Sequence, residues 1–250
     1  MPKSTITCLD KIELAPKIYL VKFGVDNKLE YFPGQFISME VAPKEYRSYS
    51  LVSYQGELTS STDFKSQIEF LVNTRSGGVG SQAIEKMQIG DTYNSLGPLG
   101  KFALVENENP KVFIATGTGL GPFIGMINSI LKANPKADVK LFFGVYALEY
   151  DFTKRFFEDY LDQNKYPNFK IITCSDNFNT DESQIDFETN QTSQYLGKVT
   201  EIIVKIVSDF NSADFYICGN PYMVVDMEKT LLEKGAKDNI YTEKYGTLTK

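Results

Sequence analysis

The pattern of apolar and turn residues changes near residue 108, and this change constrains the fold of the 250-residue chain more than any other feature of its sequence. Before it, short β-prone runs are separated by Pro, Gly, Asn and Ser, and after it apolar runs alternate with helix-like segments. The first pattern is typical of a small antiparallel β-barrel and the second of a doubly wound parallel sheet. We therefore predict two domains, residues 1–107 and residues 108–250, which meet in the polar stretch Glu106–Pro110.

The β-prone runs of the first half predict five or six strands with one helix among them. The strands are placed at Lys17–Val25, Gln35–Val41, Arg47–Ser53, Gln67–Asn73 and Asp91–Ser95, and the helix at Ser81–Met87.

The second half alternates apolar strands with amphipathic helices. The strands are placed at Lys111–Thr116, Val139–Val145, Lys170–Cys174 and Asp214–Cys218, and the helices at Pro122–Ala133, Phe152–Gln163, Lys198–Phe210 and Pro221–Lys234. The polar segment Asn177–Leu196 is predicted to be a long surface loop.

Composition excludes several kinds of catalytic and metal site. The chain has no histidine, so a Ser-His-Asp triad and a His-ligated zinc or haem are excluded. Its three cysteines, Cys8, Cys174 and Cys218, form no CxxC pair and cannot hold an iron–sulfur cluster on one chain. Few, scattered cysteines indicate a reducing compartment, with a single disulfide as the alternative. We expect no metal site, and redox chemistry would need an organic cofactor.

Charge and hydropathy indicate the compartment and exclude some partners. The 26 Lys and Arg residues are outnumbered by 32 Asp and Glu, and a net charge of −6 disfavours binding to nucleic acid. The first residues form no apolar signal segment, and no apolar run approaches the ~18–20 residues of a membrane span. We expect a cytoplasmic protein with no nucleic-acid partner and no membrane insertion.

Two glycine-rich turns are candidates for phosphate binding. Gly117–Pro122 follows an apolar strand and opens a helix, and Gly77–Ser81 precedes the helix of the first half. Glycine lets the backbone approach a phosphate, and a helix start offers free N–H groups with a positive dipole end. The alternatives are a tight strand-to-helix turn for the first and a flexible loop ended by an N-cap for the second.

Two further segments lie where ligands bind in such folds. Residues Arg47–Ser50 read Arg-Ser-Tyr-Ser on a predicted strand, and alternation places Arg47 and Tyr49 on one face. An arginine binds phosphate while a phenol ring stacks on a planar group, although an exposed Arg and Tyr are the alternative. Cys218–Pro221 follows a strand at the carboxyl edge of the predicted sheet, and a small buried thiol is the alternative there.

Taken in order, these segments resemble the motifs of the ferredoxin–NAD(P) reductase superfamily. Arg47–Ser50 resembles its RxYS flavin motif, Gly78–Ser81 its flavin-phosphate motif and Gly117–Pro122 its nicotinamide pyrophosphate loop. Gly97–Phe102 is similar to the segment that closes the barrel, and Cys218–Pro221 to the CG-x-P motif. The likeness extends over nearly the whole chain.

The resemblance implies that residues 1–107 bind a flavin, with FAD favoured over FMN. Arg47 would pair with the flavin pyrophosphate, Tyr49 would stack on the isoalloxazine, and Ser50 would hydrogen-bond near the flavin N5. The other flavin-binding residues that it implies are Val72, Thr74, Gly78, Gly80 and Ser81.

The resemblance also implies that residues 108–250 bind NADH or NADPH. Cys218 would lie beside the nicotinamide C4 with Glu243 in the same polar cluster, and these two residues with Ser50 are the expected catalytic residues. The other nucleotide-binding residues that it implies are Thr116, Gly117, Gly119, Gly121, Pro122, Asp176 and Gly219.

Asp176 favours NADH, because a carboxylate accepts hydrogen bonds from a ribose diol and repels a 2′-phosphate. Lys154 or Arg155 is the alternative, as a phosphate contact for NADPH. Tyr245 is expected to shield the flavin, with a surface tyrosine as the alternative.

The activity implied by the resemblance is hydride transfer from NAD(P)H to FAD, followed by release of single electrons to a separate carrier. That carrier would be a ferredoxin, a flavodoxin or an oxygenase component, docked on a local basic patch that uses Lys44, Lys101, Lys244 or Lys250; a solvated surface is the alternative for these lysines. The alternatives are reduction of a quinone or free flavin, and a non-catalytic electron-transfer subunit of a larger complex. A monomer is expected, because the two domains bury their own cores.

Overall fold

The computed structural model of the chain describes residues 2–52, 64–177, 186–188 and 191–245. Its contacts group into two compact units. The first unit comprises the residues up to Leu104 together with Gly121–Ser129, and the second comprises Val105–Leu120 with the residues from Ile130 onward. None of the helices in the described residues is both long and apolar enough to cross a membrane.

The first unit contains a six-stranded antiparallel sheet in the order β4-β3-β6-β1-β2-β5. The strands are β1 Lys3–Ala15, β2 Ile18–Val25, β3 Phe36–Ala42, β4 Glu45–Ser50, β5 Ser66–Asn73 and β6 Thr92–Leu99. The two end strands also meet, because Leu51 pairs with Phe70 and the Val52 N–H donates to the Glu69 carbonyl at 3.1 Å. This pairing closes the sheet, and the predicted antiparallel barrel is confirmed.

The interior of the barrel is filled by the inward-facing side chains of its strands. Val21, Phe23 and Val25 alternate along β2 and have no exposed surface. The ring of Phe23 packs against that of Phe70 on β5, with 5.1 Å between the ring centroids. Burial of each such side chain stabilises the fold by roughly 1.5–3 kcal/mol, so these residues help to hold β2 against β5.

The helix α1 at Val79–Lys86 packs on the barrel and begins two residues before the predicted start at Ser81. Its end is held by Lys11 of β1, whose ammonium donates to the carbonyls of Ile84, Glu85 and Met87 at 3.2, 3.1 and 2.6 Å. A cation is favoured there because the end of a helix carries partial negative charge.

The second unit contains a seven-stranded sheet in the order β10-β11-β9-β8-β7-β12-β13. All neighbours are parallel except β10 and β11. The strands are β7 Lys111–Thr116, β8 Val139–Ala147, β9 Phe169–Asn177, β10 Asp186–Glu188, β11 Thr192–Leu196, β12 Asp214–Gly219 and β13 Ile240–Lys244. The helices after α1 are α2 Gly121–Ala133, α3 Lys154–Phe157, α4 Val199–Ile206 and α5 Pro221–Glu233. Residues Gly121–Ser129 of α2 group with the first unit.

The chain reverses direction across this sheet between β7 and β12. From β7 it adds β8, β9 and β11 on one side, and it then returns to add β12 and β13 on the other. This is the strand order of a doubly wound sheet, as predicted, and ligands bind at such a switch point. All six residues of β12 are buried, which explains the apolar run Phe215–Cys218 that follows Asp214. Helices α4 and α5 pack on one common core with β7 and β12.

Four strands of the described residues were not predicted, namely β1, β13 and the pair β10 and β11. Strand β1 carries several charged residues, and its alternation is interrupted by register shifts after Cys8 and after Glu13. Such bulges hide the period of two on which a strand prediction depends. Strand β13 is short and half-buried, and it is defined by its parallel pairing with β12.

The prediction of a surface loop over Asn177–Leu196 was wrong where the structure describes this segment. Asp186–Glu188 and Thr192–Leu196 are strands β10 and β11, and β11 pairs in parallel with β9. A polar edge strand is fixed by the hydrogen bonds of its neighbour, which its own composition does not reveal.

Two predicted helices are shorter than expected. The segment Phe152–Gln163 forms only α3 and a 3-10 turn at Glu158–Tyr160, where the Gln191 amide donates to the carbonyls of Tyr160 and Tyr166 at 3.2 and 2.9 Å. Those carbonyls are therefore satisfied without a longer helix. The helix predicted at Lys198–Phe210 ends at Ile206, and the Phe210 ring stacks on Phe215 instead.

The first residues of β7 and β12 are joined by a buried ion pair. Lys111 and Asp214 are almost fully buried, and the Lys111 Nζ lies 2.8 Å from the Asp214 Oδ2. Asn109 donates to the other carboxylate oxygen at 3.2 Å, and Asn107 accepts from Lys111. Burial acts to raise the pKa of Asp214, but the hydrogen bonds from Lys111, Asn109 and Asn107 outweigh it and hold that pKa below its ordinary 3.8.

Asp214→Asn is expected to cost about 3 kcal/mol of unfolding free energy at pH 7, because it leaves Lys111 buried without its counter-charge. Since the folded pKa is depressed, the wild-type advantage is complete above about pH 5 and is lost as the pH falls through the folded value. Urea unfolding from pH 3 to 8 measures the difference. As a control, Asp138→Asn in the more exposed pair with Lys140 should cost less than about 1 kcal/mol. Equal costs for the two variants would contradict this role of the buried pair.

Candidate functional site

The first unit brings Arg47 and Tyr49 of β4 against the start of α1. A Cβ on Gly80 would lie 3.0 Å from the Tyr49 Oη and 3.1 Å from the Arg47 Cγ, so only a glycine fits there without displacing one of them. The Tyr49 ring stacks on Phe70 of β5, with 5.3 Å between centroids and 18° between planes. Burial raises the pKa of Tyr49 to about 12, only partly opposed by the Arg47 charge, so the phenol stays neutral at physiological pH.

The start of α1 has the features of an anion site. Its N-cap residue is Gly78, which supplies no side-chain acceptor, and the first turn contains no acidic residue. A Cβ on Gly77 would meet nothing within 4 Å, so the space above this turn is open. The backbone N–H groups and the positive end of the helix dipole therefore face a space in which an anion fits. Ser81 of this first turn is in hydrogen-bond contact with Ser76, with 2.8 Å between the two oxygens.

The Arg47 guanidinium is half exposed beside this helix start. Its hydrogen bonds go to the Tyr46 carbonyl at 2.8 Å and to the similarly exposed Glu45 carboxylate at 3.4 Å. An exposed pair of this kind is worth little, so the guanidinium can exchange Glu45 for a stronger anionic partner. Together, this corner of the barrel offers a cation, a helix start and an aromatic ring.

The remaining residues expected near this site lie on strand ends of the barrel. Ser50 ends β4 next to the bridge that closes the barrel, and Val72 lies on β5 opposite Tyr19. Thr74 follows β5, and its N–H donates to the Lys17 carbonyl at 2.9 Å. All three are buried, so they offer mainly backbone groups and hydroxyl oxygens to a ligand.

In the second unit, the turns that follow β7 and β12 meet at the switch point. A Cβ on Gly119 would lie 2.3 Å from the Cys218 carbonyl oxygen and 2.5 Å from the Gly219 Cα. Gly219 itself has φ of +134° and lies against Thr116, so glycine is required on both sides of this contact. Gly117 has φ of +54° and begins a 3-10 turn that leads into α2, with Pro122 in its first turn. The α2 start has no side-chain cap and follows directly on this 3-10 turn.

Cys218, Glu243 and Tyr245 lie together at the carboxyl ends of β12 and β13. Cys218 is paired with Glu243 across the two strands, and the Tyr245 N–H donates to the Gly219 carbonyl at 3.1 Å. Burial and then the nearby Glu243 charge raise the pKa of the Cys218 thiol well above its ordinary value, although a hydrogen bond with the Tyr245 side chain acts the other way. The thiol therefore stays protonated and serves as a small neutral group, not as a nucleophile.

The carboxyl ends of β8 and β9 complete this edge of the sheet. The buried Ser175 hydroxyl donates to the Tyr146 carbonyl at 3.1 Å, and the Tyr146 ring is 64% exposed. Lys154 and Arg155 are exposed on α3. The Asp176 side chain lies outside the part that the structure describes, as do residues 246–250, so its expected ribose contact stays a prediction. Within the described ranges, no three His, Cys, Asp or Glu side chains are grouped as metal ligands.

Sequence reasoning missed two neighbours that shape these sites. Phe70, on which Tyr49 stacks, lies in an apolar run where nothing distinguishes it from other core residues. Gly144 of β8 lies so close to Thr116 that a Cβ would come within 2.9 Å of the threonine methyl. A glycine inside an otherwise apolar strand is a signal for such a close approach.

The fold and these two sites define a class of protein that carries a flavin-binding barrel and a nicotinamide-nucleotide sheet on one chain. Residues 6–104 match the family model described as an oxidoreductase FAD-binding domain, and residues 113–229 match that of an oxidoreductase NAD-binding domain. The chain therefore belongs to the ferredoxin reductase-like family of oxidoreductases.

Curated relatives include electron transfer components of dioxygenases. The chain is 29% identical over 222 residues to the anthranilate 1,2-dioxygenase electron transfer component of Acinetobacter baylyi, covering 88% of this chain and 59% of the relative. It is 28% identical over 232 residues to the toluate 1,2-dioxygenase electron transfer component of Pseudomonas putida, covering 90% of this chain and 62% of the relative. The chain thus spans about six tenths of the length of these relatives.

Solved structures share the fold. The cytochrome P450 reductase GcoB of Amycolatopsis superposes with a TM-score of 0.80 at 24% identity, covering 97% of this chain and 69% of that one. The ferredoxin NADP⁺ reductase of Neisseria gonorrhoeae, solved with bound FAD and NADP, superposes with a TM-score of 0.72 at 21% identity. The match covers 98% of this chain and 99% of that one.

Replacing Gly80 by alanine is expected to weaken FAD binding without weakening the fold. The added Cβ forces Tyr49 and Arg47 to shift by a few tenths of an ångström. Alanine is favoured over glycine inside a helix by up to about 1 kcal/mol, so the thermal midpoint of the apoprotein should hold or rise. We expect the FAD Kd, measured by flavin fluorescence, to rise about tenfold, which corresponds to about 1.4 kcal/mol. An unchanged Kd would contradict the assignment of this corner to FAD.

Proposed function

We propose that the chain is an FAD-dependent reductase that takes a hydride from NADH and delivers single electrons to a separate acceptor protein. The observation that carries this proposal is the uncapped start of α1 beside Arg47 and Tyr49, with Gly80 between them. We further propose that residues 1–107 form the flavin domain and residues 108–250 the nicotinamide domain, which the matched family ranges support.

The residues present fit FAD. The open space above Gly77 and the free N–H groups of α1 suit a pyrophosphate, and Arg47 can replace its weak partner Glu45 with that anion. Tyr49 would stack on the isoalloxazine, held by Phe70 behind it, and Ser50 would hydrogen-bond near N5. Bound FAD accepts two electrons as a hydride and returns them singly, which the amino acids of this chain cannot do.

The switch point of the second unit suits the nicotinamide nucleotide. The turns after β7 and β12 bring backbone N–H groups and glycines together, where a pyrophosphate can approach closely. The neutral, fully buried Cys218 would lie beside the nicotinamide without competing for the hydride, and Glu243 would complete the polar cluster. Tyr245 would border this cluster.

NADH is the proposed donor. A 2′-phosphate needs a cation at the ends of β8 and β9, but those ends supply Tyr146 and Ser175, and the Ser175 hydroxyl is bonded to the Tyr146 carbonyl. The carboxylate of Asp176 adds repulsion for a phosphate and an acceptor for a ribose diol. Lys154 and Arg155 are the cations through which NADPH would be bound instead.

The proposed acceptor is a ferredoxin, a flavodoxin or an oxygenase component. The relatives named as dioxygenase electron transfer components support this choice. The basic patch proposed for docking rests on Lys44, Lys101, Lys244 and Lys250; Lys244 lies 3.9 Å from Glu228, and Lys250 lies outside the described residues. We further propose that the chain acts in the cytoplasm as a monomer, for which its charge and composition are the support.

The visible absorption spectrum of the purified protein tests the cofactor and the donor together. Under anaerobic conditions we expect bands at about 375 and 450 nm that bleach with one equivalent of NADH. Because of the Asp176 carboxylate and the absence of a cation at Tyr146 and Ser175, bleaching with NADPH should be at least about tenfold slower. Faster bleaching with NADPH would refute the donor choice, and a protein that takes up no FAD would refute the proposed function.

An acceptor series tests the proposed partner. A carrier reductase should reduce a ferredoxin, a flavodoxin or an oxygenase component with saturation at about 1–10 µM carrier, whereas turnover with menadione or free flavin should not saturate in that range. If the lysines of the basic patch guide docking, the rate should fall as NaCl rises from 20 to 300 mM. Preference for menadione would favour the alternative of a small-acceptor reductase. A rate that does not depend on salt would contradict the docking role of the basic patch.

A further inference from the structure

Thr116, the last residue of β7, has two side-chain branches that contact different neighbouring strand ends. Its Oγ1 accepts a hydrogen bond from the Asn220 backbone N–H at 3.0 Å, in the turn that follows β12. Its Cγ2 faces Gly144 of β8, where a Cβ would approach to 2.9 Å. The side chain is therefore fixed from both sides at the point where the sheet divides.

The turn after β12 depends on this hydroxyl. Gly219 lies so close that a Cβ on it would be 2.5 Å from the Thr116 Oγ1 and 2.7 Å from the Thr116 carbonyl oxygen. The next residue, Asn220, caps α5 by accepting a hydrogen bond from the Tyr222 N–H at 2.9 Å. This hydroxyl thus holds the Asn220 N–H, at the start of α5 and two residues after Cys218.

We propose that Thr116 is a positioning residue whose hydroxyl fixes the turn Cys218–Asn220 against the turn Gly117–Leu120. This role rests on the proposed function in one respect, namely that Cys218 is the residue placed beside the nicotinamide. The resemblance assigns Thr116 to nucleotide binding, whereas its geometry directs the oxygen to a backbone N–H of its own chain. Thr116 acts on the reaction through Cys218 and not by holding the pyrophosphate.

The expected effect of losing the hydroxyl follows from geometry. Valine has the shape of threonine, but it places a methyl group against the Asn220 N–H, so the turn must move away from β7. A displacement of about 1 Å at a reacting centre costs up to about a hundredfold in rate. Because the pyrophosphate contacts lie in the other turn, binding of the nucleotide should change much less than turnover.

Steady-state kinetics of the FAD-loaded protein measures this difference. We expect Thr116→Val to lower kcat for NADH oxidation at least about tenfold with KM within about threefold, and Thr116→Ser to stay within about twofold of wild type in both. Thr116→Ala, which removes the acceptor without placing a methyl group there, should also lower kcat with little change in KM. As a control, Thr230→Val removes a hydroxyl on α5 that bonds the Asp226 carbonyl and should leave both constants unchanged.

Two kinetic outcomes would overturn the proposal. A rise in KM with unchanged kcat would show that Thr116 binds the nucleotide directly. A loss in the serine variant with none in the valine variant would show that the methyl group, not the hydroxyl, is the contributing group.

Alkylation of Cys218 gives a readout that needs no activity. In the wild type the thiol is fully buried and its pKa is raised, so N-ethylmaleimide should modify it slowly. Thr116→Val should speed modification of Cys218 at least about fivefold, while Cys8 and Cys174, both buried elsewhere, serve as internal references in the same peptide map. An unchanged Cys218 rate in a variant that still oxidises NADH overturns the positioning role alone. Faster alkylation in a protein that oxidises no NADH supports the role in the turn and refutes the proposed function instead.

Discussion

The divergence of β7 and β12 is the constraint on which the nucleotide edge depends. Adjacent parallel strands that lead to connections on opposite sides leave a crevice at their carboxyl ends. In this protein glycines allow a close contact at the base of that crevice, because a Cβ on Gly119 would overlap the turn after β12 and a Cβ on Gly219 would overlap Thr116 at the end of β7. The glycines are thus required by the contact between the turns before any ligand is considered.

The candidate anion site of the barrel is formed by different groups. There the open space lies above a helix start whose N-cap has no side chain, and the charge comes from Arg47 on the adjacent strand. Tyr49 with a pKa of about 12 and Cys218 with a raised pKa are both neutral at physiological pH. Since the chain also lacks histidine, recognition in both units depends on fixed charges, dipoles and shape more than on groups that titrate near neutrality.

The motifs could be located from the sequence because each depends on local chemistry. Glycines at strand ends, a proline in the first turn of a helix and an Arg-x-Tyr alternation keep their meaning without knowledge of the partner strand. The barrel and the type of strand order were predictable for this reason, whereas the grouping of Arg47, Tyr49 and Gly80 at one site was implied by the family resemblance.

Features fixed by distant pairing were not predictable. Strand β1 is interrupted by bulges, β11 is polar and exists through its pairing with β9, and the helix expected after Phe152 is cut short where Gln191 takes its carbonyls. The Phe70 partner of Tyr49 and the Gly144 neighbour of Thr116 likewise come from other strands. In each case the deciding contact joins residues that are far apart along the chain, and such a contact cannot be predicted from a single sequence.

The ion pair between Lys111 and Asp214 lies at the opposite edge of the sheet from the two turns. Six residues of strand separate the edges, which is about 17–20 Å at the usual rise per residue. At that distance the pair, which carries no net charge, contributes almost no field at the nucleotide edge. Fold stability and nucleotide recognition are therefore assigned to opposite ends of the same two strands. Evolution or an engineer can change one end while leaving the other as it is.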